Sequence, residues 1–417
     1  MVFYKKAIRS VMKARPMMMG MALSFVATLA VAGDDGVRGA SGQGPVTGSE
    51  DRPAVPAVKN LNSRPGYWTP ERYRNARPMP LPTGDDALPQ AMPDEAPGGR
   101  SEPLPSAGES RSGQPPLLDA PEREPLEKRL YLPDESRSDN TGPDAVAPTQ
   151  QRAKTAAIPL DVGVGRAYFS SQTLVPVAAD REYPYAAIGQ LFFTVPGEGD
   201  FACSGAVVAP RLVLTAGHCV HSGANGEQGW FANLEFVPAY RDGVAPFSTW
   251  KASAAFVTDP WYNGKGNVPN SADYALLEMD DQLVGGVSRR IGEVVGFLGY
   301  QTNSLYPNHA HLIGYPSAFD SGERMHQVTA QSYRRERKYN TVTYGSDMNE
   351  GSSGGPWVIN FGPAATGQTG ADDPARNRII GVTSYGFQTT ELQGSSTLDG
   401  NFSSLLNKGC ARREGNC

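Results

Sequence analysis

From residue 165 onward the chain alternates between short apolar runs and polar breaks. "AAIGQLFFTV", "CSGAVVAPRLVLTA", "YALLEM", "IGEVVGFLGY", "HAHLIGY", "HQVTAQSY", "GGPWVIN" and "RIIGVTSYGF" are rich in β-branched, aliphatic and aromatic side chains. Gly, Pro, Asn and Asp separate them. Runs of that length and spacing predict strands joined by turns, in an all-β barrel or sandwich rather than βαβ units. Long amphipathic helical patterns are missing. Only "FSSLLNK" near the C-terminus predicts a helix, short and terminal. No heptads and no internal repeat of about 20 to 50 residues interrupt this reading.

Upstream the pattern is different. Residues 34 to 160 hold 21 of the 35 prolines, no cysteine, and four aromatics: Tyr67, Trp68, Tyr73 and Tyr131. A segment so poor in apolar side chains cannot offset the entropy of ordering it. The first 33 residues have a basic start (Lys5, Lys6, Arg9, Lys13, Arg15), the apolar stretch "MMMGMALSFVATLAVAG", and the small-x-small run Ala30-Val31-Ala32. That is the layout of a cleaved signal sequence, although an uncleaved anchor has the same start. The expected organisation is a signal peptide over 1–32, a disordered Pro-rich pro-segment over 33–164, and one folded domain over 165–417. The product is expected to be secreted or periplasmic. One island in the pro-segment, "GYWTPERYRNARPMP" (66–80), gathers three of its four aromatics. It predicts a short helix capped by Thr69 with Pro70 at its first position, either a chance cluster or a segment that docks on the folded domain.

Net charge is −5, with acidic and basic residues interspersed. No basic stripe runs along the chain, which argues against a nucleic-acid partner. "YRRERKYN" (333–340) predicts a solvated strand or loop. Membrane contact is expected only through the signal sequence, and the mature protein is expected to be a monomer. In an exported chain four cysteines permit disulfides, and Cys410 and Cys417 are expected to close a small C-terminal loop.

Two stretches carry candidate chemistry. "LTAGHCVH" (214–221) offers His218, Cys219 and His221, read either as metal ligands or as a histidine base beside a cysteine. "NEGSSGGPWV" (349–358) sets Ser353 among glycines and serines. A nucleophilic serine needs an exposed Oγ on a tight turn whose N–H groups face a developing oxyanion, and flanking glycine permits that backbone. Such a serine needs a base, and the base needs a carboxylate. "SADYALLEM" places Asp273 at the head of an apolar run. The chain order is His218, Asp273, Ser353. An α/β-hydrolase would place its histidine last.

These motifs together resemble the chymotrypsin-like (trypsin-fold) serine peptidases, more closely their bacterial V8-like branch, over about residues 165 to 400. "TAGHC", "DYALL", "GSSGGP" and "IIGVTSYG" are similar to that family's histidine, aspartate, nucleophile and substrate-strand motifs. The resemblance implies a two-barrel fold and a serine endopeptidase made as a precursor. Its triad would be His218, Asp273 and Ser353, with oxyanion donors at the N–H groups of Gly351 and Ser353. It implies a Cys203–Cys219 bridge, which takes Cys219 away from any metal, so neither metal nor cofactor is expected. His221 then reads as an exposed loop residue, and His309, His311 and His326 as ordinary strand or loop positions. Ser352 stands where many animal members carry the aspartate that receives a new N-terminal ammonium group, so that activation switch is not expected.

Substrate backbone would pair with Ser384, Tyr385 and Gly386. Asp347 lies where trypsin-like members carry their specificity aspartate, which favours Arg or Lys before the scissile bond. Glutamate-specific members carry threonine and histidine at the positions of Met348 and Thr383, and both are absent. Alternatively, Asp347 caps a turn beside an undiscriminating pocket, which also lacks the usual bracing cysteines. The partners expected are protein or peptide substrates and the chain's own pro-segment. A catalytically silent binding protein of the same fold is the competing reading.

Overall fold

The computed structural model describes residues 56–61, 64–84, 108–123, 126–132, 167–363, 375–387 and 390–417. The stretch 1–32, expected to be a signal peptide, lies outside the described residues. No described helix is long and apolar enough to cross a membrane.

Two β-barrels carry the domain. In the first, the strand Ile188–Val195 turns back at Pro196–Glu198 into Gly199–Val207, with Ile188 opposite Ala206 and Val195 opposite Gly199. Leu212–Thr215, Ala275–Met279, Trp250–Val257 and Ala232–Pro238 continue the sheet, and Ala232–Pro238 pairs back onto Ile188–Val195 to close it. Ile188–Val195 is buried at seven of eight positions. Closure leaves no strand edge for water to satisfy.

The second barrel uses His309–Gly314, His326–Glu336, Thr341–Gly345, Pro356–Ile359, Arg378–Val382 and Leu392–Ser396. Phe169–Thr173, the first strand of the folded domain, pairs with His326–Glu336 and sets Ser171 opposite Val328. The basic run 333–340 falls at the end of His326–Glu336 and in the short turn Arg337–Tyr339. The predicted terminal helix spans Gly400–Arg412, capped by Asp399, with Phe402, Leu405 and Leu406 buried. Cys410 and Cys417 are disulfide-bonded.

Within the region 33–164, the described stretches 56–61, 64–84, 108–123 and 126–132 include short elements that pack on the domain. Ala57–Asn60 pairs antiparallel with Trp250–Val257. Pro70–Asn75 forms the predicted helix, and the Thr69 hydroxyl accepts from the Arg72 N–H. Tyr73 is buried and stacks on Trp68, and both rings meet Phe192. The Trp68 indole N–H donates to Asn233 O at 2.7 Å, and Tyr67 and Arg72 both donate to the Asp200 carboxylate. Leu118, Leu130 and Tyr131 are buried as well. Average composition over the whole segment concealed these few anchors, and burying an aromatic side chain offsets the ordering of only a short stretch around it.

Candidate active site

Register brings the histidine and aspartate together. Ala275 lies opposite Thr215 in an antiparallel pair. Residues just before Ala275 and just after Thr215 therefore leave the barrel at the same edge. There His218 Nδ1 meets Asp273 Oδ2 at 2.8 Å, and the His218 N–H donates to Oδ1 at 2.9 Å. The Ser384 hydroxyl is the carboxylate's third donor and its second at Oδ2, at 2.7 Å. Asp273 is fully buried, a placement that three donors make tolerable. A carboxylate only accepts, so the network assigns the proton to Nδ1 and leaves the lone pair on Nε2.

Ser353 sits on the loop that enters Pro356–Ile359 and is fully buried. Its carbonyl accepts from Ser204 N–H at 2.7 Å, which ties this second-barrel loop to the first barrel. Gly354, at φ +77°, lies at the contact between the barrels. A Cβ there would fall 2.1 Å from Thr215 Oγ1 and 2.7 Å from Ala216 N, so only glycine lets the serine loop reach the strand end that carries His218. Ser353 Oγ and His218 Nε2 are both buried, and neither has a hydrogen-bond partner among the described residues.

Ser352 is occupied elsewhere. Its hydroxyl donates to Asn349 O at 2.5 Å and accepts from Gln393 Nε2 at 2.9 Å. Gly351, at φ +85°, turns its N–H to the carbonyl oxygen of Met79 at 3.1 Å. Of the three residues expected to meet substrate backbone, Gly386 has its N–H on the Pro82 carbonyl and its own carbonyl on the Gly84 N–H, both at 2.9 Å. Ser384 uses its side chain on Asp273. Tyr385 is fully buried, bonded to Thr341 and pressed over Gly394, so its ring acts as a wall.

Asp347 lines a cavity of about 320 Å³ together with Glu350, Glu391, Met348 and Phe387, and Leu81 and Thr83 line it too. Burial pushes the Asp347 carboxyl above its ordinary value, while a hydrogen bond from Ser171 opposes the shift. Ser171 Oγ donates to Asp347 Oδ1 at 2.7 Å and lies 2.7 Å from His326 Nε2. Since Ser171 spends its proton on the carboxylate, His326 donates through Nε2. The His326 ring stacks on Phe319 at 4.1 Å, and burial lowers its pKa to about 4. Neither Ser171 nor His326 carries a sequence signal for this role, because both sit in ordinary strand patterns.

His221 is a correction. It is fully buried rather than exposed, accepting from Gly223 N–H at Nδ1, donating to Gly226 O, and stacking on Tyr262. The loop folds over it because both ring nitrogens find backbone partners. Cys203 and Cys219 are disulfide-bonded. They form, with His218, a His/Cys cluster tight enough to hold an ion, but sulfurs bonded to one another are not thiolate ligands.

Two packed barrels, with a buried histidine–aspartate pair on one and a glycine-bracketed serine on the other, define the two-barrel serine peptidase class. A trypsin-family profile matches residues 178–397, rather more than half the chain. The chain belongs to the trypsin family and is a serine endopeptidase. It is 27% identical to the glutamyl endopeptidase of Bacillus licheniformis, over 59% of this chain and 72% of that protein. It is also 27% identical to an extracellular metalloprotease of Bacillus subtilis, over 46% of this chain and 57% of that protein. The solved structure of the protease Anisep from Arthrobacter nicotinovorans is 28% identical, with a TM-score of 0.47, covering 58% of this chain and 100% of its own.

Proposed function

We propose that this protein is an exported endopeptidase, made as a precursor, in which Ser353 attacks, His218 is the base and Asp273 fixes the base. The observation that carries this reading is the buried His218–Asp273 pair. In the neutral imidazole that bond leaves Nε2 as the proton acceptor, and Gly354 brings the Ser353 loop against Thr215 and Ala216, the strand end that leads to His218. Ser353 attacks the peptide carbonyl as Nε2 takes its proton. The N–H groups of Gly351 and Ser353 receive the oxyanion. The imidazolium then protonates the leaving amine, and water repeats the sequence on the acyl-enzyme. Reaction of Ser353 with a fluorophosphonate, lost in Ser353→Ala, tests the assignment. A Ser353→Ala protein that still hydrolyses peptides would end it.

The preferred side chain before the scissile bond is Lys or Arg. The described residues that line the cavity include three carboxylates, Asp347, Glu350 and Glu391, and no cationic side chain. A glutamate side chain there would meet repulsion, so the specificity in the Bacillus licheniformis relative's name does not carry over. Nor does the metal in the Bacillus subtilis relative's name, given the donor chemistry at Cys203 and Cys219. Export follows from the signal-like start, and "extracellular" in that second name agrees with it. Cleavage between about residues 150 and 170, at "QQRAK" or "GVGRAYF", would release the enzyme. Residues 150–166 lie outside the described residues. A cut after Arg152 or Arg166 spares Phe169–Thr173, the strand that holds Ser171 on Asp347.

A further inference from the structure

We infer that residues 77–84 are a built-in inhibitor laid backwards through the substrate cleft, where they block the site without being cut. The inference rests on the triad reading above.

The path of this strap is fixed at both ends. Arg77 and Pro78 run parallel to Phe201 and Ala202, and the Met79 N–H donates to Ala202 O at 2.8 Å. The Met79 carbonyl then takes the Gly351 N–H, one of the two oxyanion donors, at 3.1 Å. Pro78 covers the same loop, since a Cβ on Gly351 would lie 3.4 Å from Pro78 Cβ. Further on, the Gly386 N–H donates to Pro82 O and the Gly84 N–H donates to Gly386 O, both at 2.9 Å. Thr83 and Gly386 therefore bridge in parallel. The Leu81 side chain lies on Gly386, 2.5 Å from where a Cβ would be, and shares the cavity of Asp347.

Direction follows from the chemistry. His218 must protonate the leaving amine, so the C-terminal half of a substrate lies on the histidine's side of Ser353. That side is marked by Cys219, its disulfide partner Cys203, and the adjoining Ala202. The acyl half lies on the side of Gly386. A productive substrate runs from Gly386 toward Ala202, whereas the strap runs from Ala202 toward Gly386. If Ser353 attacked Met79, the departing nitrogen of Pro80 would face away from the imidazole. The adduct would return to the starting peptide.

The sequence suits the task. "RPMPLP" puts proline at 78, 80 and 82, which stiffens the segment in an extended form and lowers the entropy lost on docking. The N–H groups of Met79 and Gly84 are the ones used. Tyr73 and Trp68 anchor the strap a few residues upstream, which keeps its local concentration high.

The test uses the full chain with its leader attached. Fluorophosphonate labelling at Ser353 is timed for the wild type, Leu81→Asp and Met79→Pro. Leu81→Asp puts a carboxylate among Asp347, Glu350 and Glu391. Met79→Pro removes one N–H from a segment outside both barrels, so it keeps the test valid if the first variant folds poorly. Both variants should label roughly tenfold faster than the wild type or more, with intact mass showing no cut within 77–84. Equal, finite rates in all three proteins would overturn the strap alone, as would a new N-terminus among residues 78–84. No labelling in any of them would overturn the triad reading, and the strap with it.

Discussion

The Gly351 N–H points at the Met79 carbonyl oxygen from 3.1 Å, so the group proposed to receive the oxyanion is held by a residue that precedes the trypsin-family region in the chain. The segment that carries Met79 is anchored through Tyr73 and Trp68 on Phe192. The expected consequences of this site reach beyond the strap.

Ser353→Ala and His218→Ala should each abolish peptide hydrolysis with the fold intact, because the triad acts as a unit. Asp273→Asn should lower turnover by roughly 10⁴ through the wrong imidazole tautomer. Ser384→Ala removes one of three donors to Asp273 and should cost much less. Ser352→Ala should leave most activity, since its hydroxyl is bonded to Asn349 and Gln393. Steady-state kinetics on the processed enzyme check the order of these effects, and a Ser352→Ala loss equal to that of Ser353→Ala would refute it.

Asp347 must be ionised to receive a cationic side chain, and burial raises its pKa. kcat/KM for Lys and Arg substrates should therefore fall at mildly acidic pH more steeply than for leucine substrates. Ser171→Ala removes the hydrogen bond that lowers this pKa, so the acid limb should move to higher pH. Asp347→Ser should erase the difference between basic and apolar substrates. Identical pH profiles for the two substrate classes would show that Asp347 is structural.

His326 has a folded pKa of about 4 against an ordinary 6.5, because burial disfavours its charged form. Its contribution to stability is complete above pH 6.5 and is lost as pH falls through that window toward 4. The full loss is on the order of 3 kcal/mol. Urea unfolding of the wild type and His326→Gln at pH 7 and pH 5 should show the larger drop in the wild type. Parallel losses would place the acid sensitivity elsewhere.

Gly354→Ala should separate the barrels where Ser353 meets the first one, because its Cβ would overlap Thr215 Oγ1 and Ser204 O. Low yield or an inactive folded protein is expected, and wild-type activity would contradict the packing argument. Cys203→Ala with Cys219→Ala opens a loop of 16 residues and should cost about 3 kcal/mol in the chain-entropy model, read from the shift in denaturation midpoint.

The sequence alone determined the strand-rich domain, because short alternating runs and Gly/Pro breaks are local properties. It also determined His218, Asp273 and Ser353 as candidates, since each lies in a contiguous motif with its own strand or turn. Tertiary structure decided what depends on contacts between distant residues. Ser171 reaches Asp347 only because Phe169–Thr173 pairs with His326–Glu336. His221 is buried only because its loop folds over Tyr262. The leader presents the sharpest contrast. Composition gave its average, and an average over many prolines says disorder. The alternating prolines of "RPMPLP" were visible, but no local pattern records which groove they fill or which way the chain runs through it. That depends on backbone hydrogen bonds to Ala202, Gly351 and Gly386, and apart from proline's missing N–H every residue type carries the same backbone groups.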